Sequence, residues 1–315
     1  GHDYIDSALS KGASVIVAET EPPDVLPSKV AWARLDKTDS VLGVIAGTFY
    51  GQPSRDIDVL AVTGTNGKTT VSWLVESILK HAGKRCGLIG TIETHIDGAV
   101  EPAVFTTPFG DDLQRLLAKM RDAGCTHAVL EASSHGLKQD RIAGVRIASG
   151  GFTNLSRDHL DFHLTLEDYR DSKAKLFRRY AEQGVFNIDD AVGRGLWEEF
   201  KGHRLAISAS GDTAADIKVT AVNFDLTGCQ ATLETPEGVQ ELTLPLVGEH
   251  NLENALIALG MTHLVGVSLT LGCQGLAQNA YVPGRLERVE GPRHVLVDYA
   301  HSPDALKNVI QALQR

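Results

Sequence analysis

Leu60-Ala61-Val62-Thr63-Gly64-Thr65-Asn66-Gly67-Lys68-Thr69-Thr70 is the stretch that decides the fold. Ahead of it, Ile57 to Thr63 is mostly apolar and β-branched without alternation, the pattern of a strand covered on both faces. After it, Val71, Leu74, Val75, Ile78 and Leu79 recur at i, i+3, i+4, i+7 and i+8, the stripe of a core-facing helix that stops near Gly83. Between the two, Gly64 and Gly67 let the backbone bend so that successive N–H groups point into one concavity, with the positive end of the helix dipole behind them. Anionic oxygen belongs there. Lys68 stands where it can neutralise the terminal phosphates of a nucleotide, and the Thr69 hydroxyl where it can hold magnesium. The general phosphate-loop pattern asks for glycine at position 62, where this chain has Val62. A chance glycine turn is the bland alternative, and strand, turn, Gly-Lys-Thr and amphipathic helix in this order argue against it.

Composition sets the bounds around that loop. At 315 residues the chain has room for two or three domains, each with a core of its own. Its 43% hydrophobic and 22% charged residues are those of an ordinary globular protein. A net charge of −10 without a basic cluster argues against a nucleic-acid binder that works by phosphate neutralisation, so a cationic pocket must be local. Cys86, Cys125, Cys229 and Cys273 are far apart and form no Cys-x-x-Cys pair, which disfavours zinc and suggests a reducing compartment, by default the cytoplasm. No apolar run reaches the length of a membrane span and no signal peptide precedes the first helix-like segment, so membrane insertion is not expected. The chain starts without Met, and Gly1-His2-Asp3-Tyr4 reads as the middle of a domain, so a fragment is expected.

Outward from the loop, residues 1 to about 54 give a helix-like Ile5 to Ser10, a short buried strand within Gly12 to Glu19, and a proline-rich connection. A helix over about Ser40 to Tyr50 then ends at the breaker cluster Gly51-Gln52-Pro53-Ser54, a domain boundary. Beyond the loop, Cys86 to Gly90 reads as a strand and Asp111 opens a helix with Leu113, Leu116, Leu117 and Met120 on one face. Strands follow at His127 to Glu131 and Ile147 to Phe152. This alternation predicts an α/β fold with a central, mostly parallel sheet covered on both faces, ligands collecting at the carboxyl ends of its strands. Ile217 to Val247 switches to alternating strands with turns at Thr227-Gly228 and Pro236-Glu237-Gly238, an antiparallel patch appended to the sheet and expected to be structural. Helices return over Glu249 to Leu264 and on to about Gln278, and Val282-Pro283-Gly284-Arg285 breaks the chain. A new unit begins there, with a strand over Arg293 to Val297 and a helix opened by Pro303.

Glu131 ends a strand of the sheet that carries the phosphate loop, where nucleotide enzymes place an acidic magnesium ligand; a solvated strand end is the plain alternative. Ala132-Ser133-Ser134-His135-Gly136 is short and polar, suited to hydrogen-bonding a ligand and equally to being a loop. Phe152 to His163 is dense in groups that bond metal, phosphate or nucleotide, and His159 follows a strand end beside an Asn and an Asp, which favours a ligand role. In the helix from Leu166, the residues Leu166, Tyr169, Leu176 and Tyr180 share a stripe with Lys173 in its middle, whereas Lys175 lies about 200° round the axis and faces away. Burial of an ammonium can lower its pKa by roughly 3–5 units and yield a nucleophilic amine. Such an amine can take up carbon dioxide as an anionic carbamate, able to bridge a second magnesium ion. By pattern alone, a lysine that snorkels to the surface along its stem is the commoner case.

Thr63 to Thr70, Leu130 to His135, Phe152 to His163 and Lys173 are joined by Gly248-Glu249-His250-Asn251-Leu252-Glu253-Asn254-Ala255, by Pro283-Gly284-Arg285 and by Asp298-Tyr299-Ala300-His301-Ser302-Pro303-Asp304. The combination, in this order and over the whole chain, resembles the Mur ligases, and among them the members that add the third residue of the peptidoglycan peptide. The resemblance accounts for Val62, because that family's loop is of the Thr-Gly-Thr-Asn-Gly-Lys-Thr type. It implies a partial domain for the uridine nucleotide at 1–54, a central ATP-binding domain at 55–282, and at 283–315 the start of a Rossmann-like domain that brings the amino acid. ATP and Mg2+ are the implied cofactors. By the resemblance, Gly64, Thr65, Asn66, Gly67, Lys68, Thr69 and Thr70 hold the ATP phosphates, Asn251 and Asn254 lie near the adenine, and Arg285, Asp298 and His301 lie near the nucleotide at the hinge. Thr69, Glu131, His159 and a carbamylated Lys173 hold magnesium, which makes Lys68, Lys173 and His159 the catalytic set. Thr106, Thr107, Ser133, Gln139 and Arg141 match residues that grip the muramoyl-dipeptide, and Phe105 stands where a few relatives have Asn.

The implied reaction joins meso-diaminopimelate or L-lysine to UDP-N-acetylmuramoyl-L-alanyl-D-glutamate through an acyl phosphate, in the cytoplasm, by a monomer, with no nucleic acid involved. Folylpolyglutamate and cyanophycin ligases share the phosphate loop and are rival expectations, as is a nucleotide-binding partner without turnover. The motif that selects the amino acid, Asp-Asn-Pro-Arg in the diaminopimelate type, is expected beyond residue 315. On that expectation the chain binds nucleotide without completing the ligation.

Overall fold

The computed structural model describes residues 2–159, 161–289, 295–300, 306, 307, 309 and 310. A 3-10 turn at His2–Tyr4 leads into α1 (Ile5–Ser10), β1 (Val15–Ala18), β2 (Ala31–Arg34) and α2 (Asp39–Phe49). β1 and β2 pair in parallel as a small sheet of their own. β2 left no mark in the sequence pattern, and its residues are mostly exposed, so no apolar period betrays it. The main body follows with β3 (Asp58–Thr63), α3 (Lys68–His81), β4 (Cys86–Ile89), β5 (Glu93–Ile96), β6 (Ala99–Pro102), α4 (Gly110–Asp122), β7 (His127–Glu131), α5 (Ser134–Lys138) and β8 (Ile147–Phe152). It continues through α6 (Leu166–Lys175), β9 (Gln183–Asn187), α7 (Ala191–Glu199), β10 (His203–Ser208), β11 (Ile217–Asp225), β12 (Gly228–Thr235), β13 (Gly238–Leu244), α8 (Glu249–Leu264) and α9 (Leu269–Asn279). β14 (Glu287–Val289) and β15 (Val295–Val297) pair antiparallel in a separate ribbon. Pro303 lies outside the described residues, and Leu306, Lys307, Val309 and Ile310 of the expected helix are helical.

β3 to β13 form one sheet in the order β13-β12-β11-β10-β9-β8-β3-β7-β4-β5-β6. β3 lies between β7 and β8, parallel to both, and the antiparallel strands are confined to the two margins. Alternate residues of β3 supply the two faces. Leu60 and Val62 share a core with Val71, Leu74, Val75 and Ile78 of α3 and with the apolar side of α8. Val59 and Ala61 share the opposite core with Leu113, Leu117 and Met120 of α4 and with Phe177. This is the mostly parallel, doubly covered α/β sheet that the continuous apolar run of β3 implied.

Two expectations need correction. Leu166, assigned to the inward stripe of α6, is exposed, because it sits in the first turn where the helix has not yet reached the core. The antiparallel patch does join the sheet, through parallel pairing of β10 with β11, but the β11–β12 turn reaches the main cleft, so the patch is more than scaffold.

Candidate functional site

The turn after β3 and the start of α3 form the floor of a cleft of about 930 Å³ at the carboxyl ends of the central strands. Gly64 has φ +148° and Gly67 φ +90°. A Cβ on Gly64 would fall 1.8 Å from Thr153 Oγ1, and one on Gly67 would fall 2.1 Å from Asn254 Oδ1, so side chains from just after β8 and from α8 close on the loop through both glycines. The loop is then pinned by its neighbour. Thr65 N donates to Asn154 O at 2.8 Å, Asn66 N to Asn154 Oδ1 at 3.0 Å, and Thr153 Oγ1 to Asn66 O at 2.6 Å. Lys68 folds over its own loop, Nζ donating to Thr65 O at 2.8 Å and Gly64 O at 3.0 Å. Burial lowers its pKa from the ordinary lysine value against the pull of Glu131.

Glu131 is wholly buried at the end of β7. Its carboxylate accepts from Thr69 Oγ1 at 3.1 Å, Thr91 Oγ1 at 2.8 Å and Thr91 N at 2.9 Å. These donors are neutral, and the nearby cation that the carboxylate acts on is the Lys68 ammonium. The oxygen set of Thr69 and Glu131 suits a hard divalent ion such as magnesium. His159 lines the same cleft but has φ +51°, is partly exposed, pairs with Asp158 at 3.6 Å and meets the His135 ring edge-on. No hydrogen bond or ion pair joins it to Thr69 or Glu131 among the described residues.

Lys173 is 1% exposed, and its Nζ donates to Gly64 O at 2.6 Å and lies 4.4 Å from the centre of the Tyr169 ring. Burial, with Lys68 close by, drives its pKa well below the ordinary lysine value. Snorkelling is excluded here. Tyr169 itself donates to Thr65 Oγ1 at 3.2 Å, and burial raises its phenol to about 12, so it stays a neutral donor. Lys175 does turn away from the cleft, yet it is half-buried and donates to Asp140 Oδ1 at 3.1 Å.

On the opposite wall, Thr107 Oγ1 donates to Glu131 O at 2.7 Å, stands 3.0 Å from Ser133 Oγ and receives Ser133 N. Thr106 Oγ1 lies 3.1 Å from Thr91 Oγ1. Arg141 donates to Thr107 O at 2.8 Å and to Gln139 Oε1 at 2.9 Å, with its guanidinium over Phe109 at 4.0 Å and Phe105 at 5.3 Å. Asn251 and Asn254 line the far end; Asn251 Nδ2 donates to Val247 O at 2.8 Å. Arg285 reaches back to donate to Thr69 Oγ1 at 3.3 Å, and Asp298 caps the same corner by accepting from Leu286 N and Ala300 N. His301 lies outside the described residues. The cleft thus brings together Gly67 to Thr70, Thr106, Thr107, Glu131, Ser133, Arg141, His159, Lys173, Asn251, Asn254, Arg285 and Asp298.

Sequence reasoning passed over several lining groups, among them Thr91, Phe224, Leu226 and Glu253. Thr91 follows the end of β4, where the strand-end rule would have found it. Phe224 and Leu226 at the β11–β12 turn carry no chemical signal and are found only in the fold. Glu253, which burial among Asp189 and Glu249 raises to about 7, sat inside a matched segment but drew no attention.

The Mur ligase middle domain family matches residues 62–262. The chain is 41% identical to a Pseudomonas aeruginosa protein and 38% identical to an Alkaliphilus metalliredigens protein, both named UDP-N-acetylmuramoyl-L-alanyl-D-glutamate--2,6-diaminopimelate ligase. The matches cover 100% and 99% of this chain. The chain spans 65% and 63% of the lengths of those relatives. A solved structure of a ligase of that name superposes with a TM-score of 0.85 at 31% identity, over 99% of this chain and 64% of the other. A Mycobacterium tuberculosis folylpolyglutamate synthase shares the fold with a TM-score of 0.73 at 20% identity, over 88% of this chain and 70% of its own.

Proposed function

The chain belongs to the Mur ligase family, and from that premise we propose that it acts in the ATP-dependent joining of meso-diaminopimelate to UDP-N-acetylmuramoyl-L-alanyl-D-glutamate, a step of peptidoglycan synthesis. The observation that carries the proposal is the buried Thr69–Glu131 oxygen pair beside the phosphate loop, in one cleft with Arg141 and Lys173. The names of the relatives support diaminopimelate as the amino acid. The reading divides the chain into 1–54, 55–282 and 283–315, in line with the separate β1–β2 and β14–β15 sheets. It puts the reaction in the cytoplasm, with the protein acting as a monomer.

In this mechanism the N–H groups of Gly64 to Thr70 hold phosphate oxygens, and Lys68 turns from the carbonyls of Gly64 and Thr65 to meet them. Thr69, Glu131 and His159 would hold magnesium, and a carbamate on Lys173 would add a further anionic oxygen ligand. Asn251 and Asn254 hold the base, while Arg285 and Asp298 close the hinge side. Bound Mg-ATP supplies the phosphoryl group that converts the D-glutamyl side-chain carboxylate into an acyl phosphate, with ADP as the leaving group. The amine of the incoming amino acid then attacks the acyl carbon, loses a proton and expels phosphate. Thr106, Thr107, Ser133, Gln139 and Arg141 orient the dipeptide so that its carboxylate lies near the loop, and Lys68 stabilises charge on the transferring group.

The test is ADP formation. The chain with ATP and magnesium is expected to release ADP when UDP-N-acetylmuramoyl-L-alanyl-D-glutamate is added, and Lys68→Ala to release none. ADP release that ignores the dipeptide, or that responds to a folate instead, overturns the reading.

A further inference from the structure

We propose that Asp140 is a positioning residue whose carboxylate locks the Gln139–Arg141 segment, the helix carrying Lys173 and the β1–β2 unit into one register. The proposal rests on the ligase reading, since Arg141 and Lys173 are its working ends. Asp140 follows α5 with φ +52°, the left-handed conformation that aspartate adopts more readily than most non-glycine residues. Its side chain is 6% exposed. Oδ1 accepts from Lys175 Nζ and Tyr180 OH, both at 3.1 Å, and Oδ2 accepts from Lys37 Nζ at 3.0 Å. Arg179 adds a third cation at 3.9 Å. Burial would raise the carboxyl, but Lys37 and Lys175 outweigh it and hold it below the usual aspartate range.

Each partner leads to a different part of the site. Lys173 and Lys175 are two residues apart and so about 200° apart on α6, which sends one into the cleft and the other onto Asp140. The grip is therefore on the back of α6 at the level of the reactive amine. Asp140 sits between Gln139 and Arg141, and Arg141 is itself held over Phe109 and against Thr107 O. Lys37 comes from the segment ahead of α2. That helix is seated on the same stretch of chain, because a Cβ on Gly43 would lie 2.2 Å from Ala143 O. A tilt of the β1–β2 unit thus reaches Asp140 directly, and through it both Arg141 and Lys173.

A merely structural cluster would weaken everything at once, whereas a positioning residue acts on the ligand that its segment holds. Calorimetry on the chain, with Mg-ATP and UDP-N-acetylmuramoyl-L-alanyl-D-glutamate as separate titrants, distinguishes the two. Asp140→Asn is expected to weaken dipeptide binding about tenfold and Lys37→Met about threefold, with Mg-ATP affinity kept within about twofold, as befits a misplacement that leaves the phosphate loop alone. Asp140→Glu restores the charge and is expected to recover part of the loss. Dipeptide affinity unchanged in Asp140→Asn and Lys37→Met, or a parallel loss of both ligands, overturns the proposal. If Asp140→Asn does not fold, Lys37→Met decides by the same criterion, since that lysine is 50% exposed and only its tip is engaged. A wild-type chain that binds Mg-ATP and no dipeptide overturns the ligase reading and Asp140's role with it, whereas a result confined to the variants overturns only the role of Asp140.

Discussion

Among the described residues Lys173 has one hydrogen-bond acceptor, Gly64 O, and a second lysine beside it, so its charged form is poorly served where it stands. Its folded pKa lies below the ordinary 10.5, and in the window between the two values the unfolded chain binds more protons, so stability rises with pH there. Below the ordinary lysine pKa, burying this amine costs the fold stability. Lys173→Met, similar in length and uncharged, is therefore expected to hold or raise the melting temperature at pH 7 while abolishing dipeptide-dependent ADP formation. The carbamate has its own readout: carbon-13 bicarbonate should give a carbamate signal in the wild type and none in Lys173→Met, and short carboxylic acids should restore part of the activity of Lys173→Ala. A spectrum that is the same for both proteins removes the carbamate from the mechanism. An amphipathic stripe is a local pattern, so the sequence could raise an inward Lys173, although by pattern alone a snorkelling lysine is the commoner case. Asp140 was not legible there, because the residues that make it a hub arrive from positions 37, 175 and 180.

Among the elements, the β5–β6 hairpin lies at one margin of the sheet and is fastened to α3 by a buried pair, His95 Nδ1 at 2.8 Å from Glu76 Oε1. Burial pulls the imidazole pKa down, but Glu76 and Glu93 more than reverse this, so His95 titrates above the ordinary 6.5. Burial pushes Glu76 up, and His95 with Lys80 brings it below 4.5. The histidine contribution is complete below 6.5 and is lost as pH rises through its folded pKa; the glutamate contribution is complete above 4.5 and is lost as pH falls through its own. His95→Gln, which keeps a donor for Glu76 and removes the titration, is expected to cost about 1–3 kcal/mol near pH 5.5 and much less near pH 9. Urea unfolding at the two pH values checks this, and a pH-independent difference would show that charge on His95 is irrelevant. α3 could be read from sequence because it repeats an apolar period over its own length, and β3 and β7 because each is a short, largely unbroken apolar run that is buried along its length. β6 is exposed throughout and β5 is four residues long, so their pairing, not their composition, makes them strands.

At the scale of the molecule, Arg285 and Thr69 join the last part of the chain to the phosphate loop, and the hydroxyl involved is the one proposed to hold magnesium. On the proposed function, bound Mg-ATP would displace the guanidinium and with it the segment that holds Tyr281. Trp73 stands 5.1 Å from His95 and 6.4 Å from Tyr281, ring to ring, and so reports on that shift. In a Trp32→Phe, Trp197→Phe background, Mg-ATP is expected to change Trp73 fluorescence, and Arg285→Met to show much of the change before nucleotide is added. Identical emission in all three states would show that the contact and the segment move independently. The central place of β3 also carries a consequence for synthesis. Its partners β7 and β8 come later in the chain, β8 ending at residue 152. At about 5–20 residues per second, roughly 5–20 s separate the ribosome's completion of β3 from that of β8. Both edges of this apolar strand are unpaired until β7 is made and one stays open until β8 follows, so during synthesis the core of the nucleotide site needs shelter from other chains.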